Sequence, residues 1–151
     1  MSSGFLLDTN VLSELMREHP DAGVLGWFDQ NMQSAMSVSA VTQAEILTGI
    51  ALLPAGKRRM ALAIAAERMF EQDFAGQCLA FDSARAKHYA LIVADRTRRG
   101  LPISTEDAQI AATALAAGLT VATRNTKDFE NIDGLTLANP WSGASGRAQF
   151  R

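Results

Sequence analysis

The sequence predicts an α/β fold, because short apolar runs alternate with helical patterns along the whole chain and each run stops at polar or acidic residues. Glycines and prolines punctuate the boundaries between these units. Such alternation implies a mostly parallel central sheet flanked by helices on both faces. Phe5-Leu6-Leu7 reads as the first strand; it stops at Asp8-Thr9-Asn10, and a helical pattern follows with Val11, Leu12, Leu15 and Met16. Pro20-Asp21 opens a second short helix whose apolar positions are Val24, Leu25, Trp27 and Phe28. Met36-Ser37-Val38 is a brief strand, and Ser39 starts a helix that Pro54-Ala55-Gly56 breaks. From Lys57 a long helix is expected to about Phe74, with Gly76 ending it and Cys78–Phe81 forming a strand. Asp82 then caps a helix that ends at Gly100. Ser104 precedes a helix from Thr105 to Ala117, closed by Gly118. A strand over Leu119–Thr123, a short helical stretch around Asp128-Phe129 and a last strand at Leu135–Leu137 complete the expected elements. Residues 1–141 are expected to form one domain, and residues 142–151, rich in Gly, Ser and Arg, a flexible tail.

Length and composition fit that plan. A chain of 151 residues can bury roughly 68–70% of its unfolded surface without cross-links. The single cysteine, Cys78, cannot form an internal disulfide, which suits a reducing cytoplasm. The N-terminal run lacks a positive flank and is too short for a secretory leader, and the longest uncharged stretch, Ala108–Thr123, is too short and polar to span a bilayer. The expectation is a soluble, cytoplasmic protein with no membrane partner. Net charge is −2 and the pI is about 5.6, which argues against holding nucleic acid by global electrostatics. Basic residues nevertheless cluster at Lys57-Arg58-Arg59, at Arg96, Arg98 and Arg99, and at Arg124 with Lys127. These either answer helix ends as solvated charges or position a nucleic-acid backbone.

Parallel sheets carry their functional groups beyond the carboxyl ends of their strands. Asp8 ends the first strand, Asp128 lies just past the Leu119–Thr123 strand, and Glu45 and Asp107 lie in early turns of helices. Each acid also has a plain local reading. Asp8 can cap its helix, Ser104–Asp107 and Thr42–Glu45 resemble capping boxes, and Asp128 can favour a helix N-terminus. Jointly, four such local roles would have to coincide at one edge of the sheet.

Four segments resemble, in order, the motifs of PIN-domain proteins of the VapC and FitB toxin type. They are Leu6–Glu14 (LLDTNVLSE), Ala44–Gly49 (AEILTG), Asp107–Ala114 (DAQIAATA) and Ala122–Phe129 (ATRNTKDF). The likeness spans roughly residues 5–141, including Asn139-Pro140-Trp141. It implies a PIN-like fold and a ribonuclease acting as the toxin of a type II toxin–antitoxin pair. Asp8, Glu45 and Asp107 would then be the acidic core that binds Mg²⁺ or Mn²⁺. For the fourth position the resemblance leaves two candidates: Asn125 as a neutral ligand or supporting group, or Asp128 one turn further on. Partners implied by the resemblance are an RNA substrate, a small cognate antitoxin, a second copy in a homodimer, and operator DNA only indirectly through the antitoxin. The apolar faces of the first helices (Leu12, Leu15, Met16, Trp27, Phe28) serve core packing or such a partner.

The chemistry suits these residue types. A bound divalent cation neutralises phosphate oxygens and acidifies a water for attack. Magnesium prefers oxygen ligands, and the isolated His19 and His88 are expected at the surface. Thr9, Asn10, Thr123 and Asn125 are expected to support the acids by hydrogen bonds, or to serve only the turns. Arg96, Arg98, Arg99 and Arg124 are candidate RNA contacts. Rival readings fare less well. An aspartyl phosphatase wants a second Asp where Asn10 stands, no Gly-rich phosphate loop is present, and a non-catalytic binding module on the same scaffold would use the acids only for capping.

Overall fold

The structure is a computed structural model, and it describes residues 4–141. The expected flexible tail at 142–151 lies outside the described residues. Five strands, β1 (Phe5–Leu7), β2 (Met36–Ser39), β3 (Cys78–Leu79), β4 (Thr120–Ala122) and β5 (Leu137–Ala138), pair in the order β3-β2-β1-β4-β5. Every pair is parallel. β1 is central, with Phe5 opposite Met36 on one side and Thr120 on the other. Helices α1 (Thr9–Leu15), α2 (Ala22–Gln30), α3 (Ala40–Ala51), α4 (Lys57–Arg68), α5 (Ser83–Arg98) and α6 (Thr105–Ala117) fill the crossovers.

The period-two geometry of a strand sends neighbouring side chains to opposite faces. Phe5 and Leu7 therefore enter one core with Val11, Leu12, Trp27, Ile46 and Phe70, whereas Leu6 enters the other with Ile92, Ala111 and Phe129. The first core is aromatic and bulky, and Phe5 meets Trp27 edge-on at 4.8 Å. The second is built on the small residues of α6, where Ala108, Ala111, Ala112 and Ala114 are fully buried. Alanines let that helix lie close to the sheet, and Gly118, with φ of +69°, ends it in the left-handed conformation that favours glycine.

Several boundaries differ from the sequence-based expectation. The long helix from Lys57 is α-helical only to Arg68 and continues as a π-helical turn, Met69–Asp73, which turns Met69 and Phe70 into the first core. The last strand falls at Leu137–Ala138 and not at Leu135–Leu137, because Leu135 is spent packing as a buried loop residue. Ser39, and not Thr42, caps α3: its hydroxyl accepts from the Thr42 N–H at 3.0 Å. The expected Thr42–Glu45 capping box does not form, so the Glu45 side chain is left for another use.

Candidate active site

At the carboxyl edge of the sheet the ladder runs one residue past the strands. Asp8 N–H donates to Ala122 O at 2.9 Å, and Thr123 N–H donates to Ala138 O at 2.9 Å. This places Asp8 and Thr123 side by side at the ends of β1 and β4. Asp8 is only 6% exposed, and its carboxylate accepts three hydrogen bonds. Its Oδ1 accepts from Thr9 N–H at 2.8 Å, as the cap of α1. Its Oδ2 accepts from the Thr123 hydroxyl at 2.8 Å and from Asn10 Nδ2 at 3.2 Å. The donors are themselves fixed. Asn10 Oδ1 accepts from Arg124 N–H at 3.1 Å, and Thr123 Oγ1 accepts from Asn125 N–H at 3.0 Å. Both roles expected of Asp8, cap and site acid, are thus compatible.

Glu45, exposed on α3, accepts a hydrogen bond from the Thr9 hydroxyl, which also stands 3.2 Å from the Thr42 hydroxyl. Thr9 therefore touches both Asp8, through its N–H, and Glu45, through its side chain. Asp107 stands in the first turn of α6, partly buried, its N–H capped by Ser104 Oγ at 3.1 Å. Asp128 is exposed on a 3-10 turn, Thr126–Phe129, with its N–H donating to Asn125 O at 3.0 Å.

Electrostatics brings the four acids together. Burial pushes the Asp107 carboxyl up to about 6; the negative fields of Asp8 and Asp128, and more weakly Glu45, push it the same way, and only the Ser104 hydroxyl opposes them. Asp8 is also raised, chiefly by burial, against the hydrogen bonds from Thr123 and Thr9; Glu45 and Asp128 add to the rise. Two carboxylates about 5 Å apart repel by roughly 3 kcal/mol at an effective dielectric near 20. Among the described residues, no three His, Cys, Asp or Glu side chains are drawn into a ready-made metal cage. Magnesium keeps much of its water and needs only one or two carboxylates directly. A donor set made wholly of oxygens, with one acid fixed and the others less constrained, therefore fits such a cation.

The remaining candidates divide. Asn125 is exposed and contributes through its backbone, bonding Thr123 by N–H and Asp128 by its carbonyl. Arg124 lies at the rim, exposed, with its guanidinium 5.0 Å from the Trp141 ring centroid. Arg98 is exposed at the end of α5. Arg96 requires a correction: it is 7% exposed and its guanidinium is spent on the carbonyls of Leu101 and Glu130, so it offers no open cation to RNA. Arg99 bonds Asp95 at 3.0 Å and Asn131 O at 3.1 Å. Sequence reasoning missed Ser104 and Thr42 as hydroxyls that touch this site; Thr42 stands one helical turn before Glu45, but its burial shows only in the structure.

Of the apolar residues on the first helices, Leu12 and Trp27 are core, and Leu15, Met16 and Phe28 pack partly buried against it. Met16 also lines a cleft of about 890 Å³ between α1, α3 and α4, with Ile46, Ile50 and Leu62. Thr9 and Glu45 line the same cleft, so it opens onto the acids. No helix among the described residues is long and apolar enough to cross a membrane.

A parallel sheet that gathers acids where β1 and β4 end defines a class, and the sequence matches the model of that class, the PIN domain, over residues 5–135. The chain belongs to the PIN domain family. It is 46% identical to the plasmid stability protein StbB of Pseudomonas syringae pv. tomato, over 90% of this chain and 97% of that one. It is 43% identical to the VapC ribonuclease Y4jK of Sinorhizobium fredii, over 92% and 99% of the two chains. Among solved structures, FitAB bound to an IR36 DNA fragment superposes with a TM-score of 0.83 at 40% identity, covering 91% of this chain and 95% of that one.

Proposed function

We propose that this protein is a divalent-metal-dependent endoribonuclease and the toxin of a type II toxin–antitoxin pair. The observation that carries the reading is the Asp8 carboxylate, buried and held by three donors, with the charges of Glu45 and Asp128 bearing on it and its own bearing on Asp107. Such a group has no structural need for its neighbours' charge; a shared cation makes the arrangement tolerable. Asp8 and Asp107 are the direct ligands, Glu45 is the third, and Asp128 is the fourth acid. When bound, Mg²⁺ or Mn²⁺ supplies charge neutralisation at the scissile phosphate and a more acidic water.

The protein's own groups do the rest. Thr123 and Asn10 hold Asp8 Oδ2 in one orientation. Thr9 couples the turn after β1 to Glu45 on α3. Asp107, whose carboxyl is raised to about 6, would hold the cation in its ionised form. Arg124 at the rim contacts the RNA backbone without reading sequence. Likeness to a VapC ribonuclease and to the FitAB assembly supports both the chemistry and the partners. The partners are a small antitoxin, through which alone operator DNA is reached, and a second copy of this chain.

The test is cleavage of a bacterial RNA pool by nuclease-free protein, with Mn²⁺ or Mg²⁺ and with chelator. Cleavage should need the metal and vanish in Asp107→Ala. A variant as active as the wild type would remove the catalytic reading.

A further inference from the structure

Arg96 is a buried cation for which the site described above has no use. It lies in the last turn of α5, 7% exposed, and has no carboxylate partner within salt-bridge reach among the described residues. A charge in that position is expensive to bury unless its donors are satisfied. Here they go to main-chain oxygens of two separate loops: Nε to Leu101 O at 2.7 Å and Nη1 to Glu130 O at 3.1 Å.

Each loop leads to an acid. Leu101 starts the four-residue connection to Ser104, the cap of α6, and that cap bonds the N–H of Asp107. Glu130 follows the 3-10 turn that carries Asp128. Arg96 grips the first loop twice, because its own carbonyl accepts from Leu101 N–H at 2.9 Å across the left-handed Gly100 (φ +69°). The second loop has a further grip one turn-edge away, where Arg99 Nη1 donates to Asn131 O at 3.1 Å. The charges that move Asp107 are those of Asp8, Asp128 and Glu45.

We infer that Arg96 is a positioning residue that sets the spacing of Asp107 and Asp128, and hence the cation affinity of the site, by tying the peptide segments before α6 and after the 3-10 turn to one guanidinium. This rests on the reading of those acids as a cation site. The planar fork of an arginine can satisfy two carbonyls at fixed separation, which the single ammonium of lysine cannot reproduce.

The test uses the full chain with Arg96→Met and Arg96→Lys. Phe74→Leu, in the core on the other face of the sheet, serves as a control that loosens packing away from both loops. Hydrogen exchange of the metal-free proteins reads the tie directly. Arg96→Met should speed exchange in both 101–107 and 126–133, and the control in neither preferentially. Calorimetric Mn²⁺ binding reads the consequence: affinity should fall about tenfold in Arg96→Met, within the range seen for groups that orient metal ligands. Arg96→Lys should fall between. Exchange that changes in one segment only, or in neither, overturns the tie. Unchanged Mn²⁺ affinity with both segments loosened overturns its role at the site. If the wild type itself binds no Mn²⁺, the cation reading fails, while the exchange data still decide whether Arg96 joins the two loops. Should Arg96→Met not fold, the same comparisons are made with Arg96→Lys alone.

Discussion

The acids of this site are held in two different ways. Asp8 is fixed atom by atom: both oxygens accept bonds, from residues one and two positions away and from Thr123, 115 positions away in sequence. Asp107 is held by Ser104, at its N–H and at its carboxyl, and Asp128 through its backbone by Asn125, so both are held by fewer groups than Asp8. A fully rigid acidic cluster would suit one ion geometry and repel itself badly without it. A fully loose one would lose its acids to solvent. One rigid anchor with less constrained neighbours is the arrangement that the proposed cation site would call for.

The sharpest way to break this comparison is Asp8→Asn. Cleavage should fall by at least about 100-fold, beyond the roughly 10–100-fold typical of groups that only support a ligand. The rise in melting temperature produced by Mn²⁺ should largely disappear. An equal Mn²⁺ response in variant and wild type, read by thermal denaturation, would mean that the anchor is not where the ion sits.

Asp107 gives the next largest effect, and its sign depends on the metal. Its folded carboxyl titrates at about 6, above the ordinary 3.8. The folded state therefore holds this proton more tightly than the unfolded chain does. Its contribution to stability is full below pH 3.8 and is lost as pH rises through 6. Because the group is partly exposed, the loss is about 1 kcal/mol after discounting for solvent screening. Asp8 is shifted in the same direction. Melting curves in chelator should thus show lower stability at pH 7 than near pH 5, and Asp107→Asn should flatten that slope. With saturating Mn²⁺ the slope reverses, since the ion needs the ionised acids. A metal-free slope identical in wild type and Asp107→Asn would place the titration elsewhere.

Thr123→Val probes the rigid half without removing an acid. It deletes the 2.8 Å donor to Asp8 Oδ2 and the acceptor for Asn125 N–H. Leaving buried polar groups short of a partner costs about 1–3 kcal/mol, and Mn²⁺ affinity should drop about tenfold. Thr123→Ser restores the hydroxyl and should restore both. Loss of stability with Mn²⁺ affinity intact, by calorimetry, would make Thr123 a fold residue only.

The sequence made the sheet legible because each strand run ended on a polar residue that glycine and proline did not obscure; Asp8 after Phe5-Leu6-Leu7 was the clearest. The ends of elements were less legible. A π-helical turn at Met69–Asp73 keeps helical apolar spacing and so reads as more α-helix. Leu135 is as apolar as a strand residue but packs from a loop. The acids could be named from motifs, yet their supports could not be ranked: nothing local distinguishes Thr42 as a buried hydroxyl from a helix cap. Arg96 misled for the same reason. In sequence it is one of three arginines at a helix end, and only the return of residue 130 from the far side of β4 shows that its charge is turned inward.

The smallest effect separates the two kinds of arginine. Arg124 is exposed at the rim, its N–H bound to Asn10 and its guanidinium over Trp141 at 5.0 Å, a geometry that keeps the charge outward and costs little to hold. Arg96 faces two carbonyls. Each phosphate contact to a single strand contributes about 0.7 to the slope of log affinity against log salt. RNA binding by a cleavage-dead Asp107→Ala background should therefore lose about 0.7 from that slope on adding Arg124→Gln, with only a few-fold weaker binding at moderate salt. Adding Arg96→Met to the same background should leave the slope unchanged, because a charge turned into the fold displaces no counterions from RNA. Equal slopes for all three proteins would deny Arg124 its backbone contact, whereas a shallower slope with Arg96→Met would show that the buried guanidinium reaches the substrate after all.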